Sequence, residues 1–420
     1  MVMGKRLAMK SPLLGINKLW AARKGLNSLL LFLIAASALA IVAAICRQGA
    51  AVTESSLSRE GSFGARRKCE PSSGRWVFDN QSYPLYPERR CSFMSDQLAC
   101  EKFGRKDLRY QNWRWQPHDC SLPRFNGTRM MERIKGKRLA FVGDSLNRGQ
   151  WISMLCLLET SAGLAKSPMI FSGSLTTVRF KEYNASVEFH WSPLLVESNS
   201  DDPINHRLPE RIVRLESIEK HAQHWTNADI LIFNSYLWWR RDPKMKVIWG
   251  SFESEEKEYE EIAMLTSFKM ALKTWAAWLH LHVDPVKTQV FFVTLSPTHQ
   301  SSREWDLDSE GNCYNQTDPI NKEGYWGRGS DRAMMRAVQE AVDQLKESKP
   351  ELSIAIIDIT QLSEYRKDGH PSIYRKQWEP LTPQQLLTPT SFADCIHWCL
   401  PGVPDVWNEL LYAALFPSPL

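Results

Sequence analysis

Four short stretches of the chain are almost continuously apolar: Leu139 to Val142, Ile230 to Phe233, Val290 to Leu295 and Ile354 to Ile359. Runs of this length that do not alternate with polar residues predict strands buried on both faces. Val187 to Trp191 is a further candidate strand. Between these runs the period changes. Tyr259 to His282 repeats apolar residues at helical spacing (Ile262, Leu265, Leu272, Trp275, Leu279), and so does Asp331 to Ser348 (Met335, Val338, Val342, Leu345), with Ser330 as the expected cap. Strands alternating with helices predict an α/β fold: a parallel sheet with helices on both faces. Ligands of such sheets bind beyond the carboxyl ends of the strands. Ser145, Asn234 and Ser296 all fall just past such ends. No internal repeat is present.

The N-terminal part follows a different pattern. Leu26 to Cys46 is nearly all apolar and long enough to cross a bilayer, and Lys5, Arg6, Lys10, Lys18, Arg23 and Lys24 precede it without an acidic residue. This predicts a cytosolic tail (1–25), a signal anchor (26–46) and a lumenal remainder, a single-pass type II arrangement. Ala38-Leu39-Ala40 leaves a cleaved signal peptide as the alternative. Residues 47–68, rich in Ser, Gly and Arg and without periodicity, read as a flexible stem. Residues 69–126 form an irregular segment rich in Pro, Arg, Trp and Tyr, with a helix expected only near Asp96 to Phe103. Residues 127–420 form the main domain. Trp113-Arg114-Trp115 puts two indoles on one face if extended, either for a glycan or for packing on the main domain.

Composition narrows the function. With 24% charged and 43% hydrophobic residues the chain is globular, and a net charge of +5, partly in the tail, does not indicate a nucleic-acid partner. Cys46 belongs to the anchor. The other eight cysteines, an even number beyond a membrane anchor, predict four disulfides in an oxidising lumen, with about a hundred pairings open. No Cys-x-x-Cys pair occurs, so no metal site is expected. Asn80, Asn126, Asn184 and Asn315 begin N-glycosylation sequons, which also arise by chance.

The chemistry centres on Phe141-Val142-Gly143-Asp144-Ser145-Leu146-Asn147-Arg148, which reads as strand, sharp turn, helix. Gly143 supplies the freedom such a turn needs. Ser145 at the helix start, where free N–H groups and the dipole favour negative charge, is a candidate nucleophile. Taken alone, the stretch fits a simple helix cap equally well. Far downstream, Asp394-Cys395-Ile396-His397-Trp398-Cys399 places a carboxylate and an imidazole on one face if the backbone is helical. A carboxylate there would fix the imidazole's tautomer, making Ser145, Asp394 and His397 nucleophile, orienter and base. A surface Asp–His pair in a stapled loop is the bland alternative.

Together with Glu197 to Pro203, Phe233-Asn234, Trp238-Trp239, Ser296-Pro297-Thr298-His299 and Ala393 to Glu409, these blocks resemble the plant trichome-birefringence-like polysaccharide O-acetyltransferases, relatives of the GDSL/SGNH esterases. The resemblance runs from about Cys69 to the C-terminus, and Glu197 to Pro203 looks most like the xylan-acting branch. It implies an SGNH-like sheet and an acetyl-serine mechanism in the Golgi lumen. It further implies an oxyanion site from the start of the Ser145 helix and the side-chain amide of Asn234. SGNH relatives add a glycine to that site, for which Gly173 is the candidate by position only. Arg148, Trp238 and Trp239 become candidates for lining the substrate site, with core packing or a surface helix position as alternatives. The disulfides implied are Cys69–Cys120, Cys91–Cys156, Cys100–Cys399 and Cys313–Cys395. The acceptor implied is a xylosyl hydroxyl, at O-2 or O-3, of xylan. No phosphate-cradling glycine loop is visible, so no bound cofactor is expected, although an acetyl donor (acetyl-CoA or another carrier) is required. A polysaccharide acetylesterase with the same groups and a non-catalytic glycan-binding scaffold are the competing readings. Protease added to sealed Golgi vesicles should clip only the tail; digestion of the region after the anchor would overturn the topology.

Overall fold

The computed structural model describes residues 69–163 and 167–417. The expected tail, anchor and stem lie outside the described residues. Among the described residues no helix is long and apolar enough to cross a membrane.

The strands, in chain order, are β1 (Gly74–Phe78), β2 (Trp113–Pro117), β3 (Arg138–Gly143), β4 (Met169–Ser172), β5 (Leu175–Phe180), β6 (Ala185–Trp191), β7 (Ile212–Val213), β8 (Ile230–Asn234), β9 (Lys244–Trp249), β10 (Glu258–Ala263), β11 (Gln289–Val293) and β12 (Ile354–Ile357). The central sheet has the order β12-β11-β8-β3-β6-β5-β4. β12, β11, β8, β3 and β6 run parallel, and β5 and β4 add an antiparallel hairpin at one edge. The sheet is therefore mixed rather than purely parallel. β3 lies between β8 and β6 and all three are buried; the uninterrupted apolar runs of β3 and β8 follow from burial on both faces, whereas β6 alternates, with Ser186, Glu188 and His190 among its apolar residues.

Helices cover the sheet in two groups. Met264–His282 packs on Arg332–Ser348, while Ser145–Ala162 packs on Gly127–Arg133 and Val403–Leu415. Trp275 meets Phe233 and Phe292 edge-on at 5.4 and 5.3 Å, and Trp151 meets Phe189 at 5.8 Å. Both indoles are fully buried, and truncating one typically costs about 3–5 kcal/mol.

Three local expectations differ from what is observed. The helix expected from Tyr259 begins only at Met264, because Glu258–Ala263 pairs with β9 and forms β10. Polar and charged groups favour that pairing: Lys244 bridges Glu261, and Trp249 donates to Glu260. The helix Arg332–Ser348 is capped by Asp331, which accepts from the Ala333 and Met334 N–H groups, while Ser330 donates to Glu364. Asp96 to Phe103 forms turns, not a helix.

The irregular segment is held by β1–β2 pairing, by the Cys69–Cys120 and Cys91–Cys156 disulfides and by docking on the main domain. Trp76 donates to the Leu362 carbonyl at 2.7 Å and stacks edge-on against Trp115, which donates to the Pro71 carbonyl. Packing, not a glycan, therefore occupies Trp115. Asn80, Asn126, Asn184 and Asn315 are all exposed.

Two buried carboxyls at this docking surface have hydroxyl rather than cationic partners. Asp405 accepts from Tyr86 (2.9 Å), Ser153 (2.6 Å) and the Gly402 N–H (2.7 Å), and Glu409 accepts from Tyr83 (2.8 Å). Burial pushes Asp405 up to about 6 and Glu409 up to about 7, against the opposing pull of those hydrogen bonds. Because these folded values exceed the unfolded ones, the native protein binds these protons first as pH falls. Their contribution is present near the ordinary carboxylate range and lost as pH rises through 6 and 7. The melting temperature should therefore be several degrees higher at about pH 5.5 than at about pH 8, and Glu409→Gln should shrink that difference. A difference unchanged in Glu409→Gln would contradict this account.

Candidate active site

β3 ends at Gly143 and the helix begins at Ser145, with Asp144 as its cap. The Asp144 carboxylate accepts from the Leu146 N–H at 2.9 Å. Gly143 is needed for space rather than for unusual backbone angles: a Cβ there would lie 2.2 Å from the Asn234 carbonyl of the neighbouring strand. This close approach of β3 and β8 sets Ser145 at the carboxyl edge of the sheet. Cap and nucleophile position therefore coexist, on adjacent residues.

His397 Nε2 lies 2.8 Å from Ser145 Oγ, and His397 Nδ1 lies 2.9 Å from Asp394 Oδ2. The three side chains form one hydrogen-bonded chain. The Asp394–His397 pair is not helical. Asp394 Oδ1 accepts from the Ile396 and His397 N–H groups at 3.1 and 3.0 Å, and this turn brings residues i and i+3 together. Burial would raise the Asp394 pKa. The charge and hydrogen bonds of His397, with help from Arg375 at 3.4 Å, outweigh it and hold the carboxyl well below the usual range. Asp394 is thus ionised at neutral pH. Burial pushes Asp144, next to Ser145, up to about 6.

The His397 loop has almost no regular structure and is clamped instead. Cys100–Cys399 and Cys313–Cys395 fix it on either side. Asp394 and Ser372 exchange backbone hydrogen bonds, and the Leu400 and Cys399 N–H groups donate to the Leu98 and Gly369 carbonyls. Trp398 donates to Ser296 Oγ at 2.8 Å, so buried Ser296 supports this loop and does not face a substrate. Gln97, from the irregular segment, lies against the imidazole, 3.1 Å from Nδ1 and 3.3 Å from Nε2. Sequence reasoning missed Gln97 and Arg375. The expected Cys100–Cys399 bond was the available signal for Gln97, three residues before Cys100.

Several candidate residues do other work. Asn234 donates both amide hydrogens to the Val293 and Thr294 carbonyls at 3.1 and 2.9 Å, which leaves no side-chain N–H for an oxyanion. Gly173 is an exposed glycine at φ 58° that makes the turn between β4 and β5, two strands from β3. Trp239 is fully buried, donates to Ser235 Oγ and packs on Phe268, so it belongs to the core. Trp238 is also buried, edge-on to Trp191 at 5.5 Å, with the Arg211 guanidinium 4.2 Å from its ring. Trp191 pairs with Gly143, so this aromatic group flanks the site. Arg148 remains open to solvent one helical turn beyond Ser145. At the helix start, the Ser145 N–H sits at the first helical position, where no intrahelical acceptor exists.

The stretch Glu197 to Pro203 is a hydrogen-bonded loop at the same sheet edge. Asp201 accepts from Ser198 and pairs with buried His221 at 2.7 Å, and Glu197 is bridged by Arg214 and Lys220. Trp191 donates to the Ser200 carbonyl, which ties the loop to the end of β6.

Residues 122–414 match the model of the GDSL/SGNH-like acyl-esterase family found in Pmr5 and Cas1p, and residues 67–121 match the PMR5 N terminal domain. The chain is 58% identical to protein trichome birefringence-like 34 of Arabidopsis thaliana, over 83% of this chain and 84% of that one. It is 54% identical to xylan O-acetyltransferase 14 of Oryza sativa subsp. japonica, over 82% and 77%. It is 48% identical to xylan O-acetyltransferase 13 of the same species, over 85% and 71%.

Removing the clamp tests its role. Replacing Cys313 and Cys395 together by serine should cost about 2–5 kcal/mol of stability and lower kcat at temperatures where the protein is still folded. A variant with a lowered melting point but unchanged kcat would show that the disulfide serves stability alone.

Proposed function

The chain belongs to the GDSL/SGNH-like acyl-esterase family, and we propose that it transfers acetyl groups to xylosyl hydroxyls, at O-2 or O-3, of xylan. The observation that carries the chemistry is the continuous hydrogen-bonded chain Ser145–His397–Asp394. The names of the relatives support the acceptor.

The reaction has two acyl-transfer steps. His397 Nε2 takes the Ser145 proton as Oγ attacks the carbonyl carbon of an acetyl donor. The donor's leaving group departs with a proton from His397, and acetyl-serine remains. A xylosyl hydroxyl then gives its proton to His397 and attacks the acetyl carbon. Ser145 leaves, recovers a proton, and the acetyl ester of xylan is released. Asp394 stabilises the imidazolium in both steps. The Ser145 backbone N–H is the oxyanion donor this site retains at its helix start, and one such donor is worth about 3 kcal/mol. Arg148 is poised on the open side to contact the anionic intermediate or the substrate. The acetyl donor is acetyl-CoA or another acetyl carrier.

We further propose that residues 26–46 anchor the protein in the Golgi membrane with the catalytic domain in the lumen. The basic residues before that apolar stretch support this orientation. Four disulfides and four exposed sequons fit an oxidising, glycosylating lumen.

Ser145→Ala should abolish acetyl transfer, and Asp394→Asn should lower kcat by about a hundredfold to ten-thousandfold with a smaller effect on KM. Purified lumenal domain should acetylate xylo-oligosaccharides of several residues far faster than free xylose or manno-oligosaccharides. Equal rates on the two oligosaccharide series would sink the xylan assignment. Release of free acetate, unaffected by added acceptor, would instead make the protein an acetylesterase.

A further inference from the structure

Two buried histidines behind the catalytic loop have no part in the scheme above. His299 and His370 are each 1% exposed. His370 Nδ1 lies 2.6 Å from the His397 backbone carbonyl oxygen. His370 Nε2 lies 2.7 Å from His299 Nδ1, and His299 Nε2 lies 2.9 Å from the Glu364 carbonyl oxygen. The His370 ring stacks on Trp398, centroids 4.1 Å apart.

The protons of this chain can be counted. Carbonyl oxygens only accept, so the ring nitrogen at each end must carry a hydrogen. The nitrogen–nitrogen contact in the middle needs one hydrogen, from either ring. Three hydrogen bonds therefore need three N–H protons, whereas two neutral imidazoles have two. With all three links made, the pair carries one extra proton and a single positive charge.

We propose that His299 and His370 are positioning residues, which hold the carbonyl of His397, and through it the imidazole facing Ser145, by sharing that one proton. When the pair is neutral one of the three links lacks its hydrogen, and the support of the catalytic loop is weakened. The pair has a second hold on the loop, because the backbone N–H of His299 donates to the Cys395 carbonyl and its backbone carbonyl accepts from the Cys313 N–H.

The surrounding charges decide when the proton is held. Burial opposes it and pulls His299 down to about 4 and His370 well below its ordinary value. Lys367 opposes it at His299, and the imidazole of His397 opposes it at His370. Asp368 favours it at His299 and Asp394 at His370, although Asp368 is engaged by Arg366. Arg105 donates to the His370 carbonyl. Trp305 and Trp398 add only neutral faces. The support is therefore completed on acidification.

The proposal rests on His397 acting as the base. His370→Gln keeps an amide donor for the His397 carbonyl and an acceptor for His299, but does not titrate. His370→Phe keeps the stack on Trp398 and loses both hydrogen bonds. Relative to wild type, His370→Phe should lower kcat about tenfold or more with KM within about twofold. His370→Gln should restore most of that loss and change the acid limb of the kcat–pH profile. Wild-type kcat in His370→Phe, or a loss confined to KM, overturns the proposal while leaving the triad standing; wild-type activity in His397→Ala would overturn both. Side-chain nitrogen–proton NMR of the wild-type protein settles the proton count without a variant. A third N–H proton over the two rings should appear as pH is lowered from about 7.5 through the His299 value of about 4, and two at every pH at which the protein stays folded would refute the shared proton.

Discussion

The 2.8 Å hydrogen bond between His397 and Ser145 joins pieces of chain 252 residues apart, and much of the rest of the structure serves to keep it. One partner is easily placed. Ser145 stands at the junction of a central strand and a helix, both buried, and the packing of Gly143 against the Asn234 backbone leaves little room for movement. The other partner is not, because the loop carrying His397 forms no helix or strand that would fix it. Its position comes from cross-links instead: two disulfides, the turn made by Asp394, the Trp398–Ser296 bond and backbone hydrogen bonds to Leu98, Gly369 and Ser372.

This explains why the irregular N-terminal segment cannot be separated from the site. It contributes Cys100, which bonds to Cys399, and Gln97, which lies against the imidazole. A segment with so little secondary structure could not hold such residues unaided. It borrows rigidity through disulfides and through Tyr83, Tyr86 and Trp76, which are bonded to the main domain. The site's electrostatics divide along the same line. Asp394 has a histidine and an arginine beside it and stays charged. Asp405 and Glu409, buried with only hydroxyl and backbone donors, tend towards neutrality.

The central strands were legible because burial on both faces leaves an uninterrupted apolar run, a signal that does not depend on distant partners. β10 was not, because Ile262 fits the helical spacing of the residues after it and only pairing with β9 marks Glu258–Ala263 as a strand. The spacing of Asp394 and His397 pointed to proximity correctly but to the wrong backbone, since a side-chain-capped turn and a helix both bring i and i+3 together. Asn234 and Trp239 stand where motif position suggests chemistry. Their hydrogens and faces are taken by Val293, Thr294, Ser235 and Phe268, none of which the local sequence reveals. Gln97, Arg375 and His370 reach the loop only through tertiary folding.

The central claim is that Ser145 carries the acetyl group between donor and sugar. The most direct test is to incubate the purified protein with acetyl donor alone, quench in acid and map the acetylated peptide by mass spectrometry. One acetyl group should be found on Ser145, absent from His397→Ala, and a chase with xylo-oligosaccharide should move it to the sugar. Acetyl transfer to xylan with no acetylated Ser145 trapped at any time, or with the acetyl group on another residue, would contradict the account.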